Sequence, residues 1–366
     1  MKQEPTMKQK HNTRRAFALS SLALAAFGLS SFATVSAAEQ PIPKPDGKPA
    51  DMTKPVQVFL IMGQSNAVGL GKLPSLEAAV KNKGKYSYLV DDTGAWMDRK
   101  DVRHVQMMSG KLMVNDWMNV KNRGGFVGLE YGIGHVVGNT IDAPVMILKS
   151  CIGNRSLGWD LLPPGSERFV EGDKVYAGYK DRPDSWPVDP AKGKATEPPP
   201  WLGKDGKPVQ WWAGLQYDSD VADAKKVLAE LATYYPDATK YEVAGIFFWQ
   251  GEKDGGNPVH AAHYEQNLVN FIKSVRKDFN APNAKFVLAT MGEAVKDSGN
   301  KVMEGQLAVD GTSGKYPEFK GNVATVYTHD MAQGGGGNGH YGGNAEVYMD
   351  VGEAMGGAMV ELLKNK

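Results

Sequence analysis

An α/β fold is what this sequence predicts: a three-layer α/β/α sandwich around a central parallel sheet of about five strands. Three observations predict it. Short apolar runs recur along the chain, amphipathic helical patterns fall between them, and one cysteine, Cys151, stands alone among 366 residues. With no intrachain disulfide available, the fold needs a conventional core, which a chain of this length can build.

The first strand is expected at Val56–Met62, a β-branched and apolar run. Ala143–Leu148, Val243–Trp249, Lys285–Met291 and Val323–Thr328 are four more. Unbroken apolar runs, rather than alternating ones, fit parallel strands covered on both faces. Between them, Val221, Ala224, Leu228 and Leu231 share one helical face after an Asp218-Ser219-Asp220 capping cluster. Leu268, Phe271, Ile272, Val275 and Phe279 do the same, and 344–363 reads as a final helix rich in Ala, Gly and Met.

Three segments stand outside this alternation. Residues 1–38 read as a secretory signal peptide: a basic start, an uncharged stretch from Ala16 to Phe32, and a small-residue cleavage site at Val35-Ser36-Ala37. Thr13-Arg14-Arg15-Ala16-Phe17 looks like a twin-arginine signal. An exported protein, periplasmic or extracellular, is therefore expected. The uncharged stretch is short for a membrane span, so the mature protein is not expected to cross a membrane. Residues 39–55 read as a flexible leader, and 56–366 as the folded domain. Within it, 159–212 is crowded with Pro, Gly, Lys and Asp, yet carries five of the eight tryptophans. Disordered segments are poor in aromatics, so an ordered insertion is expected.

Charge narrows the partners. The signal segment takes five of 42 basic and one of 41 acidic residues, leaving 37 against 40, or −3. No basic cluster exists for nucleic acid. The histidines, among them His135, His260, His263 and His329, show no paired metal-ligand spacing, and no cofactor is expected. His135 and Cys151 read as buried structural residues. Gly334–Gly337 follows no phosphate-loop pattern. Nothing in the sequence speaks to oligomeric state.

The chemistry gathers in three loops. Met62-Gly63-Gln64-Ser65-Asn66 follows the first strand, where a serine hydroxyl can project at the carboxyl edge of the sheet. Gln250-Gly251-Glu252-Lys253-Asp254 follows the Val243–Trp249 strand. His340 lies in a glycine-rich loop before the last helix. A serine hydroxyl needs a base, and the base needs an acid to fix its tautomer. Ser65, His340 and Glu252 supply one of each.

With these blocks the chain resembles the family-6 carbohydrate esterases and the related sialate O-acetylesterase domain of the SGNH-hydrolase superfamily. GQSN resembles that family's nucleophile block. WQGEKD resembles its HQGE-x-D block, with Trp249 in place of the usual histidine. GFVGLEYGIG is similar to its G-P-E-x-x-F-G block, and LKSCIGNRSL to its K-x-x-x-G-G-T-S-L stretch, with Asn154-Arg155 in place of Gly-Thr. The resemblance implies a serine esterase that removes acetyl groups from carbohydrate, with acetylxylan, sialic acid and other glycans all open as donors. It implies Ser65 as nucleophile, His340 as general base and Glu252 as the acid that orients it. Asp330 is the alternative acid, because Gly337 stands where SGNH hydrolases commonly have Asp. The amides of Ser65 and Gly128 and the side chain of Gln250 are expected to form the oxyanion hole. Gln64, Asn66, Asp254, Trp159, Trp211 and Trp212 are the expected substrate contacts, though Asp254 reads equally as a loop cap. Two other functions stand beside this one: a catalytically silent carbohydrate-binding protein on the same fold, and an esterase for lipid or aryl esters.

Overall fold

The computed structural model describes residues 41–333 and 335–365. The signal peptide read from the sequence lies outside the described residues. Ile42–Lys366 forms one compact unit.

A seven-stranded sheet runs through the centre. Its strands, in chain order, are β1 (Val56–Gly63), β2 (Arg99–Met108), β3 (Lys111–Met118), β4 (Val145–Ser150), β5 (Tyr241–Trp249), β6 (Lys285–Ala289) and β7 (Val323–Val326). In space they are ordered β7-β6-β5-β1-β4-β2-β3. Every neighbouring pair is parallel except β2 with β3, which is antiparallel at the edge.

All five expected strands are present, and β2 and β3 add a hairpin that the sequence reading missed. Its physical reason is composition. The run Arg99 to Met118 carries Arg99, Lys100, Asp101, Arg103, His104, Asn115 and Asp116. Such a stretch breaks the apolar pattern because an edge hairpin keeps one strand half in solvent.

The pleat divides the sheet into two buried faces. Val58, Leu60, Met62, Ile246, Phe248, Phe286 and Leu288 face one helical layer, which holds Val221, Leu228, Tyr264, Leu268 and Ile272. Phe59, Ile61, Ile147, Phe247, Trp249 and Val287 face the other, which holds Leu129, Ile133, Tyr348, Val351 and Met355. Adjacent residues of one strand thus enter different cores, which is why the strands read as unbroken apolar runs. This is the three-layer α/β/α sandwich.

The helix Leu215–Ala229 starts after Gly214, so Asp218-Ser219-Asp220 lies inside it rather than capping it. Asp218 instead accepts from Tyr179 Oη and from Trp212 Nε1. The final helix, Ala345–Lys364, begins where expected, with Asn344 Oδ1 accepting from the Glu346 amide at 3.1 Å.

Residues 42–55 form no helix or strand. They are fastened by Lys44 Nζ to Asp92 (2.7 Å) and Lys54 Nζ to Asp142 (2.5 Å), and by Asn139 Nδ2 to the Pro43 carbonyl (3.0 Å).

The insertion folds as an antiparallel three-stranded sheet of Phe169–Glu171, Lys174–Tyr176 and Ser185–Pro187. It has its own small core of Leu162, Val175, Ala177, Trp186 and Ala213. Trp186 is therefore an anchor, with Nε1 donating to the Thr196 carbonyl at 2.9 Å.

Candidate active site

β1, β4 and β5 are neighbours, and the chain leaves β1 toward one side of the sheet and β5 toward the other. A crevice at the carboxyl ends of strands at such a reversal is where open α/β sheets bind ligands. The loops after β1, β4 and β5 each send residues to one cavity of about 890 Å³. Ser65, Gly153, Glu252, His260 and His340 all line it, as do Trp159 and Asp184 from the insertion.

Ser65 opens the short helix Ser65–Val68 directly after β1. The turn requires Gly63: its φ is +138°, and a Cβ there would lie 2.2 Å from the Trp249 carbonyl oxygen. That close approach brings β1 against β5 where both enter the site. Ser65 is half-buried, while Asn66 is wholly buried. Gly153, after β4, faces the serine, since a Cβ built on it would stand 3.4 Å from Ser65 Cβ.

Glu252 does not meet His340. Its carboxylate accepts from Gln64 Nε2 and from Asn66 Nδ2 (2.6 Å), so it holds the turn that carries Ser65. Burial first, and the charge of Glu293 second, raise its pKa to about 7. The expected Glu252–imidazole contact is thus replaced by contacts to the two amide side chains flanking the serine. Asp330, the alternative acid, is exposed, and its carboxylate makes no hydrogen bond to a described residue. Neither acid orients His340 among the described residues.

What fixes His340 is backbone and its neighbour. His340 and Tyr341 both adopt left-handed conformations, φ 51° and 53°. Left-handed conformations are uncommon for non-glycine residues and cluster at functional sites. Tyr341 is fully buried and stacks on Trp249, centroids 5.9 Å apart at 17°. Trp249, in the place of the family's usual histidine, also donates from Nε1 to the Thr290 carbonyl at 3.1 Å. Its ring is a buried floor for the histidine loop and does not line the cavity.

Several expected contacts fall elsewhere. Asp254 is wholly buried and accepts from the amides of Leu157 (2.8 Å) and Gly158 (2.7 Å). It caps the loop after β4 and does not line the cavity. Gln250 Nε2 donates to the Arg155 carbonyl at 2.9 Å and to Asp254 at 2.5 Å. Both its amide hydrogens are therefore spent, and it offers none to an oxyanion. Gly128 lies behind the turn, where a Cβ on Gly69 would come within 2.4 Å of its Cα, and it does not line the cavity. Asn66 contacts Glu252 and Tyr348 rather than the cavity. Gln64 lines the cavity, but its amide nitrogen is committed to Glu252.

Of the tryptophans, Trp159 lines the cavity, half-buried and edge-to-face with Trp201 at 6.0 Å. Trp211 carries the Arg155 guanidinium on its face at 5.0 Å. Neither Trp211 nor Trp212 lines the cavity.

Two features escaped the sequence reading. Gly153 carries a signal in hindsight, as the glycine of the IGNRS stretch at a strand's end. His260 sits on the first turn of the helix Pro258–Asp278, which begins right after the Glu252 loop and so starts at the sheet's carboxyl edge. Its Nε2 lies 3.2 Å from Asp184 Oδ1. Burial works against its charged form, but the Asp184 hydrogen bond and the carboxylates of Asp184, Asp254 and Asp160 outweigh it and raise its pKa. Cys151 is buried and its thiol is pushed up to about 12 by that burial, so it is a packing residue. His135 is likewise buried, within the helix Leu129–Gly138. Among the described residues, no group of three or more His, Cys, Asp or Glu is arranged to hold a metal. No helix among them is long and apolar enough to cross a membrane.

Residues 203–361 match the family model described as SASA, carbohydrate esterase, sialic acid-specific acetylesterase. The matched stretch contains Glu252 and His340 and leaves out Ser65. Among solved structures, the chain is similar to a protein from Arabidopsis thaliana at 16% identity, covering 84% of this chain and 98% of that one, TM-score 0.46. It is similar to a carbohydrate acetylesterase from Xanthomonas citri at 14% identity, covering 85% of this chain and 57% of that one, TM-score 0.47. A third is NanS, at 14% identity, covering 77% and 79%, TM-score 0.41. No curated protein sequence matches the chain. The resemblance to carbohydrate esterases read from the sequence is met by this family model over residues 203–361, less than half of the chain.

Proposed function

We propose that the protein is an exported serine esterase that hydrolyses O-acetyl esters of carbohydrate. The observation that carries the reading is the meeting of Ser65, Gly153 and His340 in one cavity at the carboxyl ends of β1, β4 and β5. Ser65 Oγ attacks the acetyl carbonyl carbon, and His340 takes the hydroxyl proton. The carbonyl oxygen becomes an oxyanion, for which the Ser65 amide, at a helix start, and the Gly153 amide are the donors. Collapse of this intermediate breaks the bond to the sugar oxygen, which leaves with the proton from His340. Water then attacks the acetyl-enzyme, giving its proton to His340, and acetate departs as Ser65 Oγ is reprotonated.

Glu252 acts on this reaction through the turn, by holding Gln64 and Asn66 on either side of the nucleophile. The open partner of His340 is the one observation that favours the alternative of a catalytically silent carbohydrate-binding protein. Export rests on the sequence of residues 1–38.

The test is acetate release from a panel of acetylated polysaccharides and sugars, with Ser65→Ala alongside. Loss of several orders of magnitude in turnover is expected for the variant. Labelling of Ser65 by an organophosphate, read by mass spectrometry, checks the nucleophile directly. Wild-type binding of acetylated glycan without acetate release would establish the silent reading instead.

A further inference from the structure

Acetyl transfer uses the Ser65 end of the cavity and leaves most of its volume of about 890 Å³ for the rest of the substrate. Two lining residues have no part in that chemistry. His260 comes from the first turn of the helix Pro258–Asp278, and Asp184 from the insertion, just before its third strand. They meet across the cavity wall, Nε2 to Oδ1, at 3.2 Å.

The imidazole is held firmly. The residue is 6% exposed, and its ring lies against Gly158, where a Cβ would come within 2.5 Å of the His260 Cγ. Asn257 Oδ1 accepts from the His260 amide at 3.3 Å and fixes the helix start. Asp184 is different: its side chain is 40% exposed, and Oδ2 makes no hydrogen bond to a described residue. One carboxylate oxygen is thus spent on a fixed imidazole while the other remains available as an acceptor.

Trp159 lines the same cavity and is braced edge-to-face by Trp201. An aromatic ring and a carboxylate acceptor lining one cavity match the two surfaces of a pyranose ring. The apolar C–H face can lie on the indole, while hydroxyls on the ring's edge donate to the carboxylate.

We propose that Asp184 and His260, together with Trp159, form a subsite for a sugar ring of the acetylated substrate, with Asp184 Oδ2 accepting from ring hydroxyls. The imidazole orients the carboxylate. Because Asp184 belongs to the insertion, selection among glycans is a property of that segment, while ester cleavage belongs to the sheet. The proposal rests on the esterase reading of Ser65.

The experiment compares an acetylated xylo-oligosaccharide with an aryl acetate that has no sugar. In Asp184→Asn, Oδ2 loses its charge or becomes an amide donor, and the half-exposed position keeps the fold intact. The ratio of kcat/KM for the oligosaccharide to that for the aryl acetate is expected to fall roughly tenfold or more, through KM. His260→Gln is expected to shift the ratio in the same direction. Affinity of the oligosaccharide for Ser65→Ala, with and without Asp184→Asn, reads the subsite by calorimetry in the absence of turnover and is expected to weaken by a similar factor. A ratio and an affinity unchanged within twofold would overturn the subsite, as would equal losses on both substrates. If the wild type cleaves neither ester, the esterase reading fails, and the calorimetric comparison alone then decides the subsite.

Discussion

Glu130→Gln should destabilise the protein by about 3–5 kcal/mol, the usual cost of removing one partner from a buried ion pair. Glu130 and Lys149 are both wholly buried and hydrogen-bonded to each other, and Arg123 Nη1 lies 3.3 Å from Glu130 Oε1. The same two cations reach the turn that carries Ser65. Lys149 Nζ donates to the Val68 carbonyl at 2.9 Å, and Arg123 Nη1 to the Gly69 carbonyl at 2.9 Å. Those carbonyls end the short helix that Ser65 begins, and terminal helix carbonyls need outside donors. Glutamine fills the same space but leaves an ammonium and a guanidinium without counter-charge. Unfolding entropy is about 2 cal/mol/K per residue, so over the 325 residues Ile42–Lys366 one kcal/mol moves Tm by about 1.5 °C. The expected loss is therefore about 4–7 °C. It should also depend on pH. Burial already holds Lys149 down to about 8 despite Glu130 beside it. Without Glu130 the amine is forced neutral in the fold, which costs less as pH rises toward the unfolded pKa. Calorimetric Tm differences measured at pH 6 and pH 9 should thus be larger at pH 6. A loss below about 1 °C at both would show that the Glu130 charge does not support this network.

Glu252→Gln should remove a pH slope in stability. With its folded pKa raised from 4.5 to about 7, Glu252 stays protonated in the fold while the unfolded chain ionises. Its contribution is present below the unfolded value and is lost as pH rises to the folded one, about 3 kcal/mol in all; urea midpoints at pH 4.5 and 7.5 for both proteins measure it. Gly63→Ala places a Cβ 2.2 Å from the Trp249 carbonyl and must push β1 from β5 at the serine. Turnover should fall at least tenfold with a lowered Tm, and a fully active, equally stable variant would contradict the close approach. Trp186→Ala should cost the insertion core about 3–5 kcal/mol, exposing residues 160–212 to limited proteolysis while Ile42–Gly158 resists; unchanged cleavage would mean that Trp186 is not its anchor.

The parallel strands were legible because burial on both faces leaves a mark that survives without any partner in view. Val56–Met62 is apolar at every position but Gln57, and it feeds two cores at once. The hairpin of β2 and β3 left no such mark. Arg103 donates to Asn115 Oδ1 at 2.8 Å and lies over Trp117, so polar groups satisfy each other across the pair. In sequence these same residues look like loop. The Asp218 cluster misled for a related reason. Asp favours helix starts in general, but here Tyr179 and Trp212, from the insertion, give it partners inside the first turn.

At the site, the sequence located the loops but not the pairing between them. Ser65, Glu252 and His340 do come to one cavity, because each follows a strand or precedes a helix at the same sheet edge. Which polar group meets which depends on the paths of the loops, which no spacing encodes. Glu252 opens the short helix Glu252–Gly255, and its buried carboxylate lies against the turn after β1, where two amide donors meet it. Asp254, two residues on, has its own buried carboxylate engaged by the amides of the loop after β4. These two acids therefore fasten the loops after β1 and β4 to the end of β5. His340 is held in another way, by two left-handed residues and the stacking of Tyr341 on Trp249. That stacking also explains how tryptophan can stand where a histidine is usual in the resembling family. The position is a buried support for the histidine loop, and an indole fills that place without entering the cavity.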